Sequence, residues 1–175
     1  MIFLAICALA LASCAEGPTG FGPPPTAYEP PPSGPVAFDS RDFAWSTAPG
    51  TGAISGSFAY HQGGARYSCQ GGDVLLTPET AWSRRRMIIL YGSAIAAAAP
   101  VSIVRARTPS AGTGDYARFV RRTTCDEANH FSFRDLPDGA WFVITLGKPV
   151  DRAGEPMAVT RRVETHGGGV SVTLS

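Results

Sequence analysis

Charge of one sign is missing from this sequence. Lys and Arg total 15 and Asp and Glu 14, so the formal net charge is +1, and charged residues make up only 17%. A near-neutral chain has no field to steer nucleic acid or a strongly acidic partner, and no nucleic-acid partner is expected. Catalytic signatures are missing as well: no HExxH, GxSxG, P-loop or CxxC occurs. The only histidines are His61, His130 and His166, each in or beside an expected turn, with no spacing that gathers them on one metal. No catalytic residue, metal ligand or cofactor is therefore assigned. Long apolar runs are also lacking. Residues 2–11 form an apolar stretch of signal-peptide length, too short to span a bilayer.

That apolar stretch ends in Leu11-Ala12-Ser13-Cys14. These four residues resemble the bacterial lipobox, a branched apolar residue and two small residues before a cysteine. The resemblance implies diacylglyceryl transfer to the Cys14 sulfur, cleavage between Ser13 and Cys14, and acylation of the new amino terminus. Small residues let a peptidase reach the backbone, and the thiol supplies the thioether. Three acyl chains exceed the two signals that stable anchoring requires. No Lys or Arg precedes the apolar run, a departure from the usual signal. Ala15 stands where an aspartate would favour inner-membrane retention, so delivery to the outer membrane, facing the periplasm, is expected. Residues 14–41 are dominated by Pro and Gly, with two PPP runs. Proline fixes φ and lacks the N–H, so this segment reads as an extended tether reaching on the order of 60 Å. A single domain is expected over residues 42–175.

Within that domain, apolar and polar residues alternate between Gly and Pro turns. Ile54, Phe58 and Tyr60 fall on one face of "GAISGSFAY", and Phe131 and Phe133 on one face of "HFSF". "ARFVRRTT" alternates Phe119 with Arg121 and Val120 with Arg122, and "AWFVITL" is apolar on both faces, as a central strand would be. "MAVTRRVE" and "VSVTL" flank "THGGG", a hairpin signal with glycine supplying φ > 0. The pattern predicts an all-β, immunoglobulin-like or transthyretin-like antiparallel sandwich. One short helical segment interrupts it in "AWSRRRMIILYGSAIAAAAP". Met87, Leu90, Tyr91 and Ala94 recur at helical spacing there, and the alanine run adds helix propensity. Arg84–Arg86 would face solvent as a hydrated patch, with lipid head groups the alternative partner.

Cys7 leaves with the signal peptide and Cys14 takes lipid, so Cys69 and Cys125 remain as a pair in an oxidising compartment. A disulfide is expected, and closing a loop of 56 residues contributes roughly 4 kcal/mol in the chain-entropy model. The rival assignment is a free Cys125 nucleophile beside Asp126, Glu127 and His130. A turn accounts for the same cluster. Asp126 caps backbone N–H groups, Asn129 tolerates the left-handed region, and the chain reverses between two strands as a hairpin. Under this assignment glycine would serve at 129 as well as asparagine. Pro137 and Gly139 shape a second turn, "LPDG", with φ > 0 at Gly139.

"GGDVLLTPET" followed by "RRTTCDEANHFSFRDLPDGAWFV" resembles the bacterial carboxypeptidase regulatory-like, transthyretin-like domain. The pattern of that family falls on Asp126, Phe131, Phe133, Leu136, Pro137, Gly139 and Trp141. The likeness extends over residues 52–174, its specific part over 71–80 and 124–143, and Asn129 stands where the family usually has Gly. It implies an immunoglobulin-like sandwich without an active site. The expected function is a non-catalytic, membrane-anchored envelope lipoprotein whose sandwich binds or scaffolds, through exposed strand edges, an envelope protein or a glycan. The alternative is a carbohydrate-binding module with Trp82, Tyr91 and Trp141 as its aromatic platform, although these rings read first as core. A periplasmic hydrolase with an unrecognised site ranks behind both.

Overall fold

The computed structural model describes residues 36–109, 114–151 and 153–175. The expected signal peptide, the expected cleavage and lipidation positions Ser13 and Cys14, and the expected tether up to residue 35 lie outside the described residues. Among those described, no helix is long and apolar enough to cross a membrane.

Two sheets pack face to face. In the smaller, β1 (Gly52–Phe58) lies between β7 (His130–Leu136), to which it runs antiparallel, and β10 (Gly169–Leu174), to which it runs parallel. The larger sheet is centred on β8 (Gly139–Pro149), which pairs antiparallel with β4 (Asp73–Pro78) on one side and β9 (Met157–Thr165) on the other. Outside β4 lies β6 (Arg121–Thr124), and outside β9 lies β5 (Ala96–Pro100). A short hairpin of β2 (His61–Gln62) and β3 (Ala65–Ser68) extends the sheet along the far end of β8.

Alternation in the strands builds the interior. Ile54, Phe58, Phe131, Phe133 and Leu174 from the small sheet meet Val74, Leu76, Trp141, Val143, Val159 and Val163 from the large one in a single apolar cluster. Fully burying each such side chain stabilises by roughly 1.5–3 kcal/mol before entropy is charged. The other face of the large sheet is covered too. Phe142 and Ile144 pack under Met87, Tyr91 and Ala94. β8 is therefore enclosed on both faces, as its unbroken apolar run requires.

The covering element is α1 (Ala81–Tyr91). It starts at a capping box, with Ser83 N–H donating to the Thr80 hydroxyl and Thr80 N–H donating to the Ser83 hydroxyl at 2.8 Å. Gly92, at φ 86°, ends it in the left-handed conformation. The expected helical stripe is present, with Met87 and Leu90 buried.

Four expectations are corrected. The alanine run is a strand, β5, and a second helix, α2 (Val101–Arg107), follows it. Once Gly92 has reversed the chain, ladder bonds to β9 outweigh the alanine propensity, which is a weak prior. Phe119 closes a 3₁₀ helix (Gly114–Phe119), and the strand begins only at Arg121. "THGGG" does not join paired strands: β9 belongs to the large sheet and β10 to the small one. The Asp126–Asn129 turn likewise carries the chain from β6 in one sheet to β7 in the other. A tight turn has the same local chemistry whether it joins neighbours in one sheet or crosses between two.

The fold also begins earlier than Asp42. A 3₁₀ helix spans Ser40–Thr47 with Asp39 as its N-cap, and the Phe38 ring lies 5.3 Å from Phe43 and 5.4 Å from Trp82.

Candidate functional site

In the Asp126–His130 turn, Asp126 and Asn129 hold the chain. Cys69 and Cys125 form a disulfide, Cα to Cα 5.8 Å, which removes the nucleophile from the cluster. Asp126 Oδ1 accepts from Ala128 N–H at 2.9 Å and His130 N–H at 2.7 Å, and Asn129 adopts φ 63°. His130 is largely exposed, its Nδ1 3.9 Å from Asp126 Oδ2.

Asn129 does more than turn the chain. Its Oδ1 accepts from the Ser68 hydroxyl at 2.7 Å and from Cys69 N–H at 3.0 Å. The side-chain amide thus clasps the loop between β3 and β4, and the disulfide pins the same loop. Backbone bonds from Gly71 N–H to Cys125 C=O and from Cys125 N–H to Gly72 C=O, both 2.9 Å, complete the junction. Glycine at 129 would supply the φ and lose the clasp, so the two residues are not equivalent there.

The second turn holds a different junction. Pro137 C=O accepts from the Thr165 hydroxyl at 2.8 Å, and the same hydroxyl accepts from Trp141 Nε1–H at 3.1 Å. Gly139 has φ 153°, and a Cβ there would overlap the Trp45 ring, which packs edge-on to Trp141 at 4.9 Å. Sequence reasoning missed Asp135, at φ 55°, and Arg121. The Arg121 guanidinium lies 5.7 Å from the Trp141 ring centroid and donates to the carbonyls of Asp135 at 3.1 Å and Ser46 at 3.0 Å. Its place in an alternating strand gave no hint of that role.

The histidines stay apart. His61 Nδ1 lies 3.0 Å from Ala59 C=O and His166 Nε2 lies 3.4 Å from Glu164 Oε2, while His130 belongs to the turn already described. Among the described residues, no three His, Cys, Asp or Glu side chains converge as metal ligands.

The three rings proposed as a platform separate as well. Trp141 is fully buried in the sandwich. Trp82 packs with Phe38, Phe43 and Tyr116, its ring 4.8 Å from that of Tyr116. Tyr91, at the last turn of α1, forms one wall of a cleft of about 390 Å³ over the outer face of the large sheet. The clasped loop from Ser68 to Asp73 forms the opposite wall, and Ile144 and Thr145 form part of the floor. Asp73 and Arg122 face each other across 3.7 Å at the rim, with Gln70 and Lys148 beside them. Burial pushes the Tyr91 phenol up to about 12, so it remains a hydroxyl donor at every physiological pH. This cleft combines apolar walls with a few convergent polar groups, the usual make-up of a small-molecule site. A wider depression of about 560 Å³ runs over the small sheet at Ser55, Ser57, Ser132 and Thr173 and reaches Asp126 and His130 at the turn. It is open, and a ligand there would keep most of its water.

No family model and no curated protein matches the chain. Its fold has a solved counterpart. The crystal structure of a candidate carbohydrate-binding protein from Pseudomonas aeruginosa superposes with a TM-score of 0.56 at 20% identity, covering 78% of this chain and 96% of that one. At that identity the likeness establishes the shared fold.

Proposed function

We propose that the protein is a lipid-anchored, non-catalytic binding module of the bacterial envelope, and that a carbohydrate occupies the Tyr91 cleft. The make-up of the cleft carries the carbohydrate reading. Sugars present apolar C–H faces and rings of paired hydroxyls. An aromatic wall meets the first need. Amide, carboxylate, guanidinium and ammonium groups at Gln70, Asp73, Arg122 and Lys148 meet the second, since together they supply both donors and acceptors. The loop that presents Gln70 and Asp73 is fixed by the disulfide and by Asn129, so little ordering entropy is lost on binding. The solved counterpart, itself a candidate for carbohydrate binding, supports the same class of ligand. The anchor rests on the lipobox resemblance at Cys14, and the carboxypeptidase regulatory-like assignment on the residues around Asp126 and Gly139.

Two experiments test these parts separately. Titration of envelope oligosaccharides into the protein should give saturable binding. Gln70→Ala and Lys148→Ala, both at the exposed rim, should each weaken it about tenfold, the loss of one charge-assisted or well-placed hydrogen bond. Absence of binding, or binding unchanged by both variants, overturns the cleft. For the anchor, Cys14→Ser should move the protein out of the membrane fraction of cells or leave an uncleaved precursor. Recovery of the wild type as a soluble protein overturns the anchor.

A further inference from the structure

Three charged side chains line the Tyr91 cleft, and two of them answer each other. Asp73 Oδ2 and Arg122 Nη1 stand 3.7 Å apart on the paired strands β4 and β6. The third is Lys148, the only lysine in the sequence. Among the described residues, its ammonium has neither a hydrogen bond nor an ion pair. With Asp73 and Arg122 cancelling, the cleft keeps one positive charge.

The backbone holds that charge in place. Lys148 sits opposite Ser68 in the β3–β8 ladder, and Ser68 belongs to the loop that Asn129 clasps and the disulfide pins. On the other side Gly147 lies against the Phe58 ring, so close that a Cβ there would overlap it. Ile144, Leu146 and Lys148 are two residues apart along β8 and line the same cleft. Leu146 is 46% exposed and offers apolar surface beside the ammonium. A charge next to apolar walls acts through a lower local dielectric than one on open surface, so it counts for more in binding.

We propose that the cleft takes acidic saccharides, with a single negative charge on the sugar ring seated at Lys148. The proposal rests on the carbohydrate reading above and adds the class of sugar. The apolar face of the ring lies on Leu146 and Tyr91, and its hydroxyls meet Gln70 and the Asp73–Arg122 pair. One carboxylate or one sulfate ester then neutralises the cleft. A phosphomonoester brings nearly two charges and leaves an excess beside Asp73. An amino sugar adds a second cation and is disfavoured. Lysine is a compact point charge that imposes no bidentate geometry, so the site reads the sign of the charge and not the shape of the anion.

Three forms of one ring test this by calorimetric titration: short oligosaccharides of galactose, galacturonate and galactose 6-sulfate with the same linkage, and the matching glucose series. Within a series the rings differ only at C6. The wild type should bind the charged forms about tenfold more tightly than the neutral one, the gain of one charge-assisted hydrogen bond. That margin should shrink in about 1 M NaCl. Lys148→Gln keeps a donor and drops the charge, so it should bind charged and neutral forms within about twofold of each other, while Lys148→Arg should restore the margin. Arg134→Gln, which removes a charge from the exposed side of β7, should leave it intact. A margin for either charged form supports the proposal, and its size on each distinguishes carboxylate from sulfate ester. Equal affinity for neutral and charged forms, or a margin that survives Lys148→Gln, overturns the acidic preference and leaves the carbohydrate reading standing. Binding of no form in either series overturns both.

Discussion

Asn129→Gly distinguishes a turn residue from a clasp. Position 129 is left-handed at φ 63°, and glycine takes that conformation without steric cost. If the backbone were all that mattered, the substitution would be neutral. The structure gives the side chain two further bonds, from Ser68 Oγ–H at 2.7 Å and from Cys69 N–H at 3.0 Å, and Cys69 is only 1% exposed. Glycine leaves that buried N–H without its acceptor, a loss of about 1–3 kcal/mol. Alanine loses the same bonds and adds the left-handed penalty of about 1–2 kcal/mol, so it should be the less stable of the two. In a domain of this size the glycine variant should melt roughly 3–8 °C below wild type. Ser68→Ala in the Asn129→Gly background should then cost less than in wild type, because the two residues share a bond. The measurement is urea and thermal denaturation with the disulfide intact. His130→Ala serves as the neutral control, within about 0.5 kcal/mol, since that ring is largely exposed. A glycine variant that melts with wild type would refute the clasp.

The other predictions concern different parts of the fold. Replacing Cys69 and Cys125 together by alanine should cost roughly 4 kcal/mol, given the 56-residue separation; two free thiols in native protein would contradict the bond. Gly139→Ala drives a methyl group into the Trp45 ring at φ 153° and should cost about 3 kcal/mol or more, with loss of the near-UV signal of the Trp45–Trp141 pair. A wild-type melting curve would show that the ring is not packed there. Tyr91 provides a pH test. Its phenol ionises near 10.0 when unfolded and near 12 in the fold, so the native state holds the proton more tightly. That contribution is complete below pH 10 and is lost between pH 10 and 12, by about 2–3 kcal/mol. A spectrophotometric titration in which every tyrosine ionises at the ordinary value would show that the ring is not enclosed.

Much of the fold was legible because it depends on periods that the sequence carries locally. Alternation at Ile54, Phe58, Phe131 and Phe133 marked the faces of strands, and the apolar run at Trp141–Leu146 marked the strand covered on both sides. The stripe Met87, Leu90 and Tyr91 marked the covering helix. The cysteine pair followed from the number of cysteines and from the oxidising compartment that the lipobox resemblance implies. Turn chemistry at Asp126, Asn129 and Gly139 was legible for the same reason: each answers to the dihedral angles and N–H groups of its own few residues.

What those turns connect was decided only in three dimensions. A turn fixes a chain reversal, while the choice between pairing within a sheet and crossing to the other depends on which strand elsewhere completes the ladder. Hence "THGGG" and "CDEANH" looked like hairpins and are crossings. The alanine run shows the same limit, since its partner, β9, lies some 60 residues away in the chain. The Asn129 clasp, the Arg121 bridge over Trp141 and the Tyr91 cleft all join residues distant in sequence. None has a local period, because hydrogen bonds and ring contacts across a fold depend on separations in space that the chain order does not record.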